Sequence, residues 1–198
     1  MSATAAKLNP ADLMPLEQYA RERESFRQRV LDHKKNRKLH LGENATLYFE
    51  DRLTMQYQVQ EMLRIERIFE PDGIEEELSA YNPLIPDGRN WKATFMIEFP
   101  DAEERRAQLA NLRGIETAVW LAVEGHERIQ PIVNEDLDRT DETKTSAVHF
   151  MRFELDGDMI AGLRSGAGLS AGIDHPNYWA EVASVPENTR RSLLEDLD

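Results

Sequence analysis

Trp91-Lys92-Ala93-Thr94-Phe95-Met96-Ile97-Glu98-Phe99 puts an apolar or aromatic side chain at every second position. Side chains on a strand point to opposite faces in turn. Trp91, Ala93, Phe95, Ile97 and Phe99 therefore share one face, and Lys92, Thr94, Met96 and Glu98 share the other. This pattern predicts a strand over 91–99 with one face buried. The loop before it, 82–90, holds Pro83, Pro86, Gly88, Asn82 and Asn90, a composition that fixes backbone. Upstream, Met55, Val59, Met62 and Phe69, with Leu63 beside them, recur at helical spacing and predict a helix over 53–69. Pro71-Asp72-Gly73 reads as a turn, followed by a short helix over 74–81.

The same reading extends outward. Residues 1–9 read as a flexible tail. Leu16, Tyr19, Phe26 and Val30 predict a helix over 15–34, entered through Pro15. Residues 37–51 read as a hairpin turning at Gly42-Glu43-Asn44. Downstream, Pro100-Asp101 opens a helix to about 112, with Gly114 as its stop. Strands are predicted at 117–124, 127–133, 147–155 and 167–174, a helix at 158–165, and an amphipathic terminal helix from Pro186 using Leu193, Leu194 and Leu197. Residues 134–146 are polar and acidic and read as an exposed loop. Successive strands with short links predict a mainly antiparallel sheet with packed helices, the α+β class, as a single domain over 10–198.

The chain has 198 residues, enough for one sizeable core. Its formal net charge of −13 disfavours nucleic acid, because a phosphate-neutralising protein needs a basic footprint. With no cysteine, the chain can hold neither a disulfide nor a cysteine-ligated cluster. No apolar run approaches the ~20 residues of a membrane span. The start, Met1-Ser-Ala-Thr-Ala-Ala-Lys-Leu, lacks a secretory apolar core. A soluble cytoplasmic protein is the expectation.

Gln58, Glu61 and Arg64 share one edge of the second helix. If Asn82, Asn90 and Lys92 converge on that edge, the six would enclose a polar chamber able to orient an acid, amide or phosphate. The plainer alternative is a surface ion pair worth a few tenths of a kcal/mol. His149, Asp174 and His175, with Glu61 and Glu66, have the chemistry of a metal site, though no metal-binding spacing joins them. His149 shares a strand face with Met151 and Phe153, where a histidine is more often a hydrogen-bonded core residue. With Asp174, either histidine could instead do acid–base work. Ser165 and Ser170 lack the context of a nucleophile elbow. Gly162, Gly166, Gly168 and Gly172 match no phosphate-binding loop and read as close strand packing. The basic stretch Arg29 to His40 reads as the cationic end of the first helix.

Asp12-Leu-Met-Pro-Leu-Glu-Gln-Tyr, Gln58-Val-Gln-Glu-Met-Leu-Arg-Ile-Glu-Arg, Glu77-Leu-Ser-Ala-Tyr-Asn-Pro-Leu-Ile-Pro and Asn90-Trp-Lys-Ala-Thr together resemble an uncharacterised prokaryotic family, domain of unknown function 3501. The resemblance covers most of the chain and carries no activity. It implies a link to redox or peroxide metabolism, because family members are often encoded near rubrerythrin-like and iron–sulfur proteins. The expectation is a binding or accessory protein with a redox protein partner, forming a homo-oligomer such as a homodimer. The competing expectation is a small metal-dependent enzyme with Glu61, Arg64, His149 and His175 around one pocket.

Overall fold

In the computed structural model, which describes residues 6–135 and 143–198, helices and strands alternate along the chain. Helix α1 (Leu16–Lys34) follows Pro15 and leads into strands β1 (Lys38–His40) and β2 (Ala45–Glu50). Helix α2 (Arg52–Glu66) starts at a capping box. The Asp51 side chain accepts from the Thr54 amide, and the Thr54 hydroxyl accepts from the Asp51 amide. Then come α3 (Pro71–Tyr81), a 3-10 turn at Asn82–Leu84 and strand β3 (Asn90–Ile97). Helices α4 (Ala102–Asn111) and α5 (Ile115–Ala118) precede β4 (Val119–Val123), β5 (Arg128–Ile129), β6 (Ile132–Val133) and β7 (Val148–Glu154). The chain ends through α6 (Gly157–Arg164), β8 (Leu169–His175), β9 (Tyr178–Val182) and α7 (Glu187–Leu194).

The strands form two antiparallel sheets, ordered β1-β2-β3-β7-β6 and β5-β4-β8-β9. The 91–99 alternation decides what lies between them. Ala93 and Phe95 on β3, Leu47 and Phe49 on β2, and Met151 and Phe153 on β7 join Leu121, Val123, Ala171 and Ile173 of the second sheet in one continuous core. Two sheets that each bury one face against the other account for the α+β architecture. The pleat leaves Glu50, Lys92 and Arg152 side by side on the opposite face of the larger sheet, with Tyr48, Thr94 and Phe150 one step along. Among the described residues no helix is long and apolar enough to cross a membrane.

Several boundaries depart from the sequence reading, each for a local reason. Helix α2 ends at Glu66 because Arg67 takes a left-handed conformation (φ 55°). Phe69 therefore leaves the apolar stripe and is 67% exposed. Pro71-Asp72-Gly73 is not a free turn but the first turn of α3, where proline's missing N–H is no loss. The strand expected over 127–133 is two short strands in different sheets, parted at Pro131. Strand β9 has only a weak alternation and was not anticipated. Leu8 and Asn9 are not part of a loose tail. Leu8 is buried, and Asn9 caps the 3-10 turn Pro10–Asp12. Residues 1–5 of that tail and 136–142 of the expected acidic loop lie outside the described residues, while Thr145, at the loop's end, is buried.

One glycine reading holds at a specific place. A Cβ on Gly172 would run into the Trp120 ring and lie 2.7 Å from the Ala180 carbonyl oxygen, so this strand passes where only glycine fits.

Candidate functional site

Helix α2 turns its charged edge toward α1, not toward the 82–90 loop. Glu61 accepts from the Tyr19 hydroxyl at 2.6 Å, from Arg23 Nε and Nη2 at 2.7 and 2.8 Å, and from Arg64 Nη2 at 3.2 Å. Its side chain is only 12% exposed. The hydrogen bond from Arg23 leads the effects that hold its carboxyl down to about 2. Met55, Val59 and Leu63, on the opposite stripe, pack with Leu78 of α3 and with Ile85 of the loop. At 3.6 residues per turn, positions 59 and 61 lie about 200° apart. Once Val59 meets the loop, Glu61 must face away from it.

Other polar groups of this region hold the chain's own beginning. Asn82 accepts from the Leu8 amide at 2.8 Å and donates to its carbonyl at 2.9 Å. Gln60, fully buried, accepts from the Met14 amide at 2.6 Å, and Gln56 donates to the Asp12 carbonyl at 2.7 Å. Asn90, also buried, donates to Glu154 and accepts from the Asp87 amide, closing the turn before β3. Gln58 is half-buried on α2. The expected chamber of Gln58, Glu61, Arg64, Asn82, Asn90 and Lys92 is thus divided, and Lys92 alone of the six lines a cavity below the loop.

That cavity, about 340 Å³, is walled by Ala80, Pro83 and Leu84 on one side and by Phe150 and Met151 of β7 on the other, with Lys92 and Glu135 at its polar end. Lys92 stands between Glu50 on β2 and Arg152 on β7 in the strand register. Neither neighbour satisfies it. Arg152 is engaged by Glu135, through a two-point contact at 2.7 and 2.9 Å, and by Glu154. Glu50 is buried and accepts from the Thr94 hydroxyl at 2.7 Å, while its Oε2 has no hydrogen-bond partner among the described residues. Lys92 makes no hydrogen bond or ion pair among the described residues, and burial, then the nearby Arg152 charge, lower its pKa against the attraction of Glu135, Asp87 and Glu154.

The histidines and Asp174 do not come together. His149 is buried against Phe95 between the sheets, with Nε2 at 2.9 Å from Thr145 Oγ1 and 3.0 Å from the Ser146 carbonyl. His175 bridges the Arg113 carbonyl and the Asn177 amide at the β8–β9 turn. Asp174 pairs with Arg128. Among the described residues no three histidine, aspartate or glutamate side chains are grouped as a metal would need. The pocket expected to join Glu61 and Arg64 with these histidines is not built.

Sequence reasoning missed a buried ionic cluster at Arg37, which is not a solvated helix end but 2% exposed. Its guanidinium donates to the carbonyls of Phe49, Glu50 and Ser192 and to Asp196 at 2.5 Å, and lies 3.3 Å from Asp51. Asp51 in turn pairs with His33. Burial opposes the charge on Arg37, but Asp196 and Asp51 outweigh it and raise its pKa. Burial likewise works against an ionised Asp51, yet His33 and Arg37 hold that carboxyl below its usual range. At Asp196 burial wins over Arg37, with repulsion from Asp51 added, and the pKa rises to about 6. The folded state therefore binds Asp196's proton more tightly than the unfolded chain does. That contribution to stability is complete below about pH 4 and is lost as pH rises through about 6. Asp51 acts oppositely and loses its contribution as pH falls below about 4. In urea titrations across this range, Asp196→Asn is expected to gain on the unaltered protein as pH rises from 4 to 6. A difference that stays flat would contradict this assignment.

A family model described as Protein of unknown function (DUF3501) matches residues 7–197. No curated protein matches the chain. Among solved structures, the crystal structure of a novel protein of unknown function from Burkholderia pseudomallei K96243 is similar. It has a TM-score of 0.92 and 48% sequence identity, covering 98% of this chain and 100% of the other.

Proposed function

We propose that this chain, which belongs to the DUF3501 family of proteins of unknown function, is a binding protein for a small organic anion with an apolar body. The observation that carries this reading is Lys92, a half-buried ammonium without a hydrogen bond or ion pair among the described residues, which shares with Glu135 the polar end of a mostly apolar cavity. Half-burial without a hydrogen-bond partner disfavours the ammonium, and an incoming carboxylate offsets that penalty while making a charge-assisted hydrogen bond. Pro83, Leu84 and Phe150 offer the hydrocarbon part of such a ligand a dry wall. The prolines of the 82–90 loop hold that wall in place before the ligand arrives, which lowers the ordering entropy of binding. On this reading the redox association suggested by the family resemblance runs through the bound anion or a protein contact, since the chain has no cysteine with which to hold an iron–sulfur cluster.

Titration calorimetry with hexanoate and benzoate, against hexanol and benzyl alcohol, tests the proposal. The carboxylates are expected to bind and the alcohols to bind far more weakly. Lys92→Met keeps the length of the side chain and removes its charge. It should weaken carboxylate binding by about tenfold or more, the worth of one hydrogen bond to a charged group, while the fold keeps its stability to within about 1 kcal/mol. Equal affinity for acids and alcohols, or undiminished binding by Lys92→Met, would refute the reading.

A further inference from the structure

The segment Pro10–Glu17 and the junction between α2 and α3 face each other across a second apolar cleft of about 400 Å³. Leu13, Leu16, Leu63, Ile68 and Ile74 form its floor, and Phe69 stands at its mouth, 67% exposed. An aromatic side chain this exposed beside an apolar cleft marks a contact surface more often than a solvated one.

The exposed charges flanking the cleft are mostly acidic. Asp12 is paired with Arg52, and Arg64 with Glu61. Of the remaining ionisable residues in these segments, Glu17, Glu66, Glu70, Asp72 and Glu75 are exposed, against exposed Arg67. We propose that this cleft docks a basic amphipathic helix of a partner protein, with apolar side chains seated between α1 and the α2–α3 junction and lysines or arginines meeting the acidic rim. A cleft bounded by helices and open along one side suits a helix laid into it by its apolar face. The rim argues against a second copy of this chain in the same place. A twofold contact would set the acidic residues of one copy against those of the other, and like charges brought together across an interface are repelled.

The probe is a Leu/Lys amphipathic helical peptide about 18 residues long, roughly five turns. Beside it stand a scrambled peptide of the same composition and a Leu/Glu counterpart. Fluorescence anisotropy should show binding of the Leu/Lys helix that weakens with salt, and little binding of the other two. Phe69→Ser should weaken it by about tenfold or more, as loss of an aromatic anchor does. The pair Glu17→Lys and Glu70→Lys should weaken it as well and flatten its salt dependence. Circular dichroism melts of these surface variants keep a folding defect distinguishable from a lost contact. Binding of the scrambled peptide as tightly as the helix, or indifference to Phe69→Ser in a folded protein, would overturn the proposal. So would sedimentation showing self-association that Phe69→Ser dissolves, since the occupant would then be a second copy.

Discussion

Arg37→Met is expected to reduce folding stability by about 3–5 kcal/mol, the range found when one partner of a buried ion pair is removed. The substitution roughly conserves side-chain bulk, so the loss comes from what Arg37 satisfies. Three carbonyls, on Phe49, Glu50 and Ser192, lose a donor. Two buried carboxylates, Asp51 and Asp196, lose their shared cation, and Asp51 alone retains His33. The effect should be larger at pH 8 than at pH 5. In acid Asp196 takes up a proton and stops being a buried charge, so its orphaning matters less. Urea unfolding of the variant at both pH values checks this, and an unchanged midpoint at pH 8 would show that the cluster contributes nothing net. Asp196→Asn placed on top of Arg37→Met should cost less than the sum of the two single changes, because the groups form one network.

Trp91→Ala should be about as damaging, on the order of 3–5 kcal/mol. Trp91 is buried where β3 begins, packs edge-on against Phe49, and donates its indole N–H to the Leu193 carbonyl at 2.9 Å. Alanine leaves a large void and takes the indole donor from the Leu193 carbonyl, which keeps only backbone donors at the end of α7. Trp91→Phe keeps most of the packing and isolates the hydrogen bond, with an expected loss of about 0.5–1.5 kcal/mol, since the Leu193 carbonyl keeps a backbone donor. Arg37 and Trp91 bind consecutive carbonyls, those of Ser192 and Leu193. Both substitutions therefore loosen the same helix, and their combination should fall short of additivity. Amide exchange in α7 should rise in each single variant before it rises in the central strands. Uniform protection loss across the protein would mean that α7 opens only with the whole fold.

The elements legible beforehand were those written in a local period. The alternation from Trp91 to Ile97 returned as a strand with the expected buried face, and Tyr19, Phe26 and Val30 returned as the buried side of α1. Signals carried by one or two residues were harder to read. Pro71 both ends a loop and starts a helix well, and only the packing of Ile74 and Leu78 on α2 selects the second role. Gln130-Pro131 interrupts the single strand expected over 127–133, and the switch between sheets there depends on which neighbours offer backbone partners.

The candidate residues divide in the same way. His149 is the hydrogen-bonded core histidine that its place among Met151 and Phe153 suggests. The polar edge of α2 was recognised as important, but its partners were misjudged. The long polar side chains beside the loop clasp residues 8–14, while Glu61 holds α1. Lys92 was singled out as a neighbour of Glu61 and stands instead beside Phe150 and Pro83.

The amino-acid order by itself determined the strongly periodic elements and their buried faces, the absence of thiol chemistry and the acidic surface, because period, composition and capping act over a few residues at a time. Only the tertiary structure decided which charges meet. Arg37 and Asp196 are 159 residues apart, and no periodicity reaches that far. Their pairing exists because the two-sheet core brings α7 back to β2, and among the described residues Lys92 has no ion pair because the same packing commits Arg152 and Glu135 to each other. Burial then turns these accidents of proximity into chemistry, since a charge kept from water must be matched by whatever the fold, or a ligand, places beside it.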